Sequence, residues 1–187
     1  MNTGNRQKIL WGITSSGDKI KEAIQLMIEI QSWQAWDIEV MLSKETPFVL
    51  KYYDAWKLLK DNFAPVHEER GPNTPFLGGQ IQHQKYTFLL IMPVTANTMA
   101  KIACGIADSL VSNCVSLGLK ARVPVYLFPT DQGAELETVL RDGSTLKLYP
   151  RQVDLDNLET VRAMDHVTIF NDLDDVKNFF QKQHATG

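Results

Sequence analysis

The chain is poor in the residues that build several kinds of site. Its two cysteines, Cys104 and Cys114, stand without a CxxC partner in 187 residues. That leaves no zinc pattern and too few thiolates for an iron–sulfur cluster, so no metal site is expected. Both read as reduced core or interface thiols of a cytoplasmic protein. No cluster of Lys or Arg stands out in a chain of net charge −3, which argues against a nucleic-acid surface. No apolar run approaches a membrane span. The opening stretch MNTGNRQKILWGITSSG is too briefly apolar for a secretory leader. Internal repeats, low-complexity tracts and a GxGxxG motif are lacking as well.

What is present is an ordinary globular composition. Apolar residues make up 44% and charged ones 22%, enough for a core in a chain that can bury roughly 70% of its unfolded surface. A single domain is the simplest organisation, with a core over about residues 8–135 and a C-terminal strand and helix extension over about 145–182.

Periodicity divides the chain into alternating elements. Lys8–Ile13 reads as a buried strand, followed by a helix with Ile20, Ala23, Ile24, Met27, Ile28 and Ile30 on its apolar side. Asp37–Leu42 is a second strand and Pro47–Leu59 a helix with proline in its first turn. Asn62–Gln84 holds no sustained period and reads as a long loop of the kind that often carries function. Thr87–Met92, apolar throughout, suits a strand covered on both faces. Thr98–Asn113 is expected as one helix, Val123–Phe128 as a fourth strand and Lys147–Asp154 as an extended piece. A helix through Leu158–Met164, a fifth strand at His166–Phe170 and a last helix at Leu173–Phe180, capped by Asp172, complete the chain. This alternation predicts an α/β fold, a three-layer doubly wound parallel sheet of Rossmann-like or flavodoxin-like type.

In such a sheet ligands bind beyond the carboxyl ends of the strands. The first strand end supplies Thr14, Ser15, Ser16 and Gly17, and the second Ser43 and Lys44. The third supplies Pro93, Val94, Thr95, Ala96, Asn97 and Thr98, and the fourth Pro129, Thr130 and Asp131. Short hydroxyls, an amide, backbone N–H groups and one lysine suit a phosphate and the edge of a polar heterocycle. Plain structural roles compete with this. A Ser/Thr/Gly turn serves equally as capping chemistry, and Thr95, Asn97 or Thr98 could cap the next helix. Ser43-Lys44 also lacks the acidic residue that would hold an NAD ribose. In the predicted helix, Ala100, Ala103 and Ala107 line one side beside Cys104, while Ile102, Ile106 and Leu110 line another. Both sides are therefore expected to be covered, the small one by the sheet, a ligand or a neighbouring subunit.

The run PVTANTMAKIACGIADSLVSN resembles the Pro-Ala-Ser-Ala-Asn-Thr motif and following helix of the homo-oligomeric flavin-containing cysteine decarboxylase superfamily. WGITSSG resembles its flavin loop, and the likeness spans roughly residues 8–180. The nearest branch is the archaeal-type flavoprotein and dihydromethanopterin reductase (acceptor) group, which shares the ANT-x-AKIA-x-GIAD run and a tail like YPRQVDLDNLETVRAMDHVTIF. The resemblance implies FMN held non-covalently at an interface between subunits of a trimer-based homo-oligomer, in some members a closed shell. Thr14, Ser15, Ser16 and Gly17 would form the first flavin loop, and Ser43 and Lys44 the second. Thr95, Ala96, Asn97 and Thr98 would line the flavin edge, with Pro129 and Thr130 completing the site. Asn97 is the side chain expected nearest the reactive ring edge, and no acid or base is assigned.

Two departures bear on activity. The decarboxylases carry a histidine where this chain has Gly79, and a Pro-x-Met-Asn-x-x-Met-Trp-like clamp where it has PTDQGAEL. His83, four residues off register, and His67, in the predicted loop, are the substitutes the chain offers, and a surface histidine is the simpler reading of each. Related prenyl-transferring flavin enzymes use a Ser-Met-x-Thr-like motif and basic residues, for which Lys120 and Arg122 are the nearby candidates. The expectation is an FMN oxidoreductase passing electrons from an external donor, a reduced pyridine nucleotide or a separate carrier, to a pterin-type acceptor such as dihydromethanopterin. A lyase acting on cysteinyl carboxylates and an FMN electron carrier are the alternatives.

Overall fold

The structure is a computed structural model that describes residues 6–186; the first five residues of the stretch read for a leader lie outside the described residues. The strands are β1 (Gln7–Ile13), β2 (Trp36–Leu42), β3 (Val66–Glu68), β4 (Phe88–Val94), β5 (Val125–Pro129), β6 (Leu136–Val139), β7 (Thr145–Leu148) and β8 (Val167–Ile169). The helices are α1 (Ile20–Ser32), α2 (Thr46–Tyr52), α3 (Trp56–Asn62), α4 (Leu77–Gln82), α5 (Ala96–Ala103), α6 (Leu110–Lys120), α7 (Gln152–Arg162) and α8 (Leu173–Thr186).

Six strands form one sheet in the order β3-β2-β1-β4-β5-β8, with every pairing parallel. This is the doubly wound sheet expected from the alternation, with β1 central and the strand order reversing direction beside it. Every residue of β4 is buried, as a central parallel strand requires. Alternation along β1 separates two cores. Ile9, Trp11 and Ile13 face the core that includes Ile20, Ile24 and Met27 of α1 and Val176 and Phe180 of α8. Leu10 faces the core with Leu77 and Ile81 of α4, Leu110 and Cys114 of α6, and Leu158 and Val161 of α7. Trp11 also ties the centre together, its indole N–H donating to the Met92 carbonyl at 2.8 Å.

Four expectations are corrected. Pro47–Leu59 is two helices, because Asp54 adopts the left-handed region (φ 56) and ends the first of them. The expected loop at 62–84 contains the edge strand β3 and the short helix α4. Three and six residues are too few to display a period, and α4 carries two glycines that lower its helix propensity. Gly78 is there for contact: a Cβ on it would lie 2.5 Å from Leu117 Cδ1 of α6.

The third correction falls in the small-residue helix, which is broken. Gly105, at φ +70, occupies the position after the cap of α5. Its N–H donates to Ile102 O at 3.1 Å and that of Ile106 to Lys101 O at 2.8 Å, the paired bonds of a Schellman motif. Helix α6 restarts with a capping box, Ser109 and Ser112 each accepting from the other's backbone N–H. Ile106 is thereby carried off the apolar side and left 48% exposed. Ala107 falls in the connection, and α5 packs on α6 and α7 of its own chain.

The fourth is the C-terminal segment. Residues 147–154 are not one extended piece: β7 ends at Leu148 and α7 begins at Gln152. Helix α7 is started by Arg151, whose N–H and guanidinium both bond Asp154 (3.0 and 2.7 Å). Strands β6 and β7 form an unanticipated antiparallel hairpin, turned at Gly143 (φ +85). The Asp142-Gly143 pair is a hairpin signal that the periodicity reading passed over.

Candidate functional site

The polar residues at the carboxyl ends of β1, β2, β4 and β5 are locked to one another. Ser43 N–H donates to Ile13 O at 3.0 Å, and Thr46 Oγ1 donates to the same carbonyl at 3.0 Å. Ser43 and Thr46 share a hydroxyl bond of 2.8 Å, so the β2 end is tied to the β1 end. Thr14 is fully buried. It donates through N–H and hydroxyl to Pro93 O, both at 3.1 Å, and its hydroxyl accepts from Thr95 N–H at 2.8 Å. Thr130 N–H donates to Val94 O at 3.3 Å, and Ser16 Oγ lies 3.2 Å from Thr130 Oγ1. Sequence reasoning placed these ends side by side, and the structure brings them into one interlinked patch beside the switch point of the sheet.

The structural and ligand-facing readings divide by residue. Thr95 is the N-cap of α5, its hydroxyl accepting from Thr98 N–H at 3.3 Å. Thr14, Ser43, Thr95 and Thr98 thus spend hydroxyl capacity on the scaffold. Pro129 offers its carbonyl to Gln132 Nε2 at 2.8 Å. Ser15, Lys44 and Asn97 differ: among the described residues no hydrogen bond or ion pair engages their side chains, and Lys44 and Asn97 are exposed. A hydroxyl, an ammonium and an amide, carried on a braced framework, are free for a ligand. Lys44 is held through its backbone alone, N–H to Glu69 Oε2 at 3.1 Å.

Asp131, named above at the fourth strand end, joins the patch, together with a second carboxylate and a tyrosine that the sequence reading passed over. Asp131 Oδ2 accepts from Ala96 N–H at 3.3 Å, at the start of α5. Burial raises its pKa, with the bond from Ala96 opposing. A carboxylate therefore already fills the N-terminal end of α5. Asp18 accepts from Thr138 Oγ1 of β6 at 3.2 Å, and burial raises its pKa against the pull of Lys19. Tyr53 lays its ring on Gly17 so closely that any Cβ there would strike it. Asp18 was legible as the next residue after the loop; Tyr53 had no sequence signal, because its approach depends on the break at Asp54.

The position of the decarboxylase histidine is buried Gly79 in α4, and a Cβ on it would strike the Phe76 ring. His67 is on β3 rather than in a loop, its Nε2 3.2 Å from buried Glu39. His83 is exposed at the end of α4. Cys114 is buried, which pushes its thiol up to about 12, while Cys104 is exposed. Among the described residues no helix is long and apolar enough to cross a membrane.

A parallel sheet in this order, with hydroxyls, an amide and a lysine at its central strand ends, defines a Rossmann-like nucleotide-binding protein. The chain belongs to the flavoprotein family, whose sequence profile matches residues 2–181. It is 41% identical over 176 residues to an uncharacterised protein of Methanocaldococcus jannaschii, covering 94% of this chain and 95% of the relative. It is 35% identical over 156 residues to dihydromethanopterin reductase (acceptor) of Methanosarcina mazei, covering 79% of this chain and 61% of that enzyme. The chain thus spans less than two thirds of the curated reductase's length. Among solved structures, DmrB of Burkholderia xenovorans in complex with FMN, a cubic protein cage for redox transfer, superposes with a TM-score of 0.84 at 27% identity, with 97% of each chain covered.

Proposed function

We propose that the interlinked strand ends hold FMN and that the chain is an FMN-dependent oxidoreductase. In this reading it passes electrons from an external donor to a pterin-type acceptor. The carrying observation is the set of unengaged donors, Ser15, Lys44 and Asn97, on a framework that the bonds of Thr14, Ser16, Ser43, Thr95 and Thr130 make rigid. FMN needs donors and a cation for its phosphate and an amide for its ring edge, and this patch supplies both kinds. The flavoprotein family match, the FMN complex of the cage protein and the name of the Methanosarcina reductase support the same reading.

FMN supplies the redox chemistry when bound; the chain positions it and tunes its electronics. The 14–17 loop with Ser43 and Lys44 takes the phosphate end. Thr95–Thr98 and Pro129-Thr130 line the ring, with Asn97 at its reactive edge. Gly79, under the Phe76 ring, provides no base for decarboxylation. Homo-oligomeric assembly, trimer-based and in the manner of the cage relative, completes the proposal, with the ring at a subunit boundary.

Purified protein is expected to be yellow and to release FMN identifiable by mass. After anaerobic reduction, rapid mixing with a dihydropterin is expected to reoxidise the flavin. A colourless protein that cannot be reconstituted with FMN sinks the cofactor claim. Failure of reoxidation, with carbon dioxide release from a cysteinyl peptide, would move the chain to the lyase class.

A further inference from the structure

We infer that the cleft between α2 and the β6–β7 hairpin is a second binding site, one that takes the planar heterocycle of a redox partner. The inference rests on the reading that the 14–17 loop holds FMN. The cleft is open to solvent, has a volume of about 430 Å³ and is lined by Tyr52, Tyr53, Leu140, Arg141 and Asp142. That volume is in the range of small-molecule sites and suits one ring system with a short substituent.

Three features make the cleft a recognition surface for a ring. First, two tyrosines line it, Tyr52 with 48% of its surface exposed and Tyr53 half-buried. Phe48, 69% exposed beside the cleft, stacks on Tyr52 at 6.5 Å with planes 23° apart. Tyr53 meets Tyr52 edge-on at 5.1 Å. Second, a guanidinium stands over Tyr52. Arg141 Cζ is 5.4 Å from the Tyr52 ring centroid, and a single contact of 3.3 Å joins Nη2 to Asp54. Most of its fork of donors therefore remains available to acceptor atoms or an anionic group on a stacked ligand. Third, the cleft shares a wall with the first strand-end loop, because the Tyr53 ring that lines it rests on Gly17. A ring seated there is next to the loop assigned to the flavin. The hairpin is tethered to that same loop segment by Thr138 and Asp18.

Tyr53 packs against the first core, but core packing does not account for the others. Phe48, Tyr52 and Arg141 are outside both apolar cores, and the hairpin contributes no strand to the six-stranded sheet. The same chemistry, a planar heterocycle bearing an acceptor or anionic group, belongs to the nicotinamide or adenine of a pyridine nucleotide and to a dihydropterin.

The test is calorimetric titration of the FMN-loaded, oxidised protein with NAD⁺ in one arm and 7,8-dihydrofolate in the other. At least one probe is expected to bind the unmutated protein. Tyr52→Leu and Arg141→Gln should each weaken it about tenfold, while Tyr52→Phe, which keeps the ring, should retain the affinity. FMN content and Tm should be unchanged in all three variants, since both side chains are about half exposed. An effect confined to NAD⁺ assigns the cleft to the donor, and one confined to dihydrofolate assigns it to the acceptor. FMN-loaded protein that binds neither probe, or binds with the same affinity after both substitutions, overturns this inference alone. Unmutated protein that takes up no FMN overturns the cofactor reading on which it rests.

Discussion

The hydroxyl of Ser16 lies 3.2 Å from that of Thr130, joining the loops that leave β1 and β5 across 114 residues of sequence. Ser16 is 9% exposed, so the bond is screened from competing water. Replacing it with alanine removes one hydroxyl and leaves that of Thr130 without this partner. Ser16→Ala should cost about 1 kcal/mol of stability, read by urea denaturation, and should weaken FMN binding severalfold. Thr130→Val should match it in stability, and unchanged FMN affinity in both variants would count against placing these loops at the cofactor.

Asn97 tests the ring edge. It is exposed in the first turn of α5, and its amide is unengaged among the described residues. Asn97→Asp exchanges a neutral donor for a carboxylate of nearly the same shape, which opposes an electron-rich reduced ring. The variant should bind FMN more weakly or show a more negative midpoint potential in spectroelectrochemical titration, with little change in Tm. An unaltered spectrum and potential would remove Asn97 from the ring edge.

Glu39 sets an acid limit on the fold. Only 4% exposed on β2, it takes salt bridges from Lys8 (2.6 Å) and Lys85 (3.2 Å) and hydrogen bonds from Tyr86 (2.5 Å) and His67 (3.2 Å). Burial alone would raise its pKa, but bonds from Lys8, Tyr86, Lys85 and His67 outweigh it and hold the carboxyl at about 2. A depressed native pKa stabilises the fold above the unfolded value of about 4.5, and that contribution is lost as pH falls from there toward 2. Urea midpoints for the natural chain should therefore drop between pH 5 and about 2. Glu39→Gln should flatten that slope and be destabilised at pH 7, since it leaves Lys8 without its short ionic partner.

Gly105 isolates a purely conformational effect. Its φ of +70 is disfavoured for any side chain, yet nothing lies within 4 Å of a Cβ built there. Gly105→Ala should cost about 1 kcal/mol through strain alone, seen as a Tm a few degrees lower with an unchanged FMN affinity. A loss of FMN instead would show that the α5–α6 break supports the site directly.

The legible part of the fold was the part governed by hydrophobic period. Long apolar segments such as β1, β2, β4 and α1 stand out because each buries a repeating set of side chains, and the doubly wound class follows from their alternation. What escaped were elements too short to repeat, β3 and α4, and helix breaks set by one residue's φ, at Asp54 and Gly105. The Gly105 break was signalled by the glycine itself and by Ser109 with Ser112, but a continuous alanine-rich pattern masked them. Asp54 carries no comparable signal, since a left-handed aspartate is chosen by the packing on either side of it.

The site follows the same division. Sequence by itself determined which chemical groups stand at the strand ends, because a parallel sheet carries every loop after a strand to one edge, whatever the loops contain. Tertiary structure decided how those groups are spent. A hydrogen bond across the sheet commits Thr14 to the scaffold, local bonds to Thr46 and Thr98 commit Ser43 and Thr95, and Ser15, Lys44 and Asn97 are left free. It also brought Tyr53 onto Gly17 and Arg141 over Tyr52, pairs whose members are far apart in sequence. Local pattern records the period of a helix or strand, whereas such contacts exist only once separate elements have packed against each other.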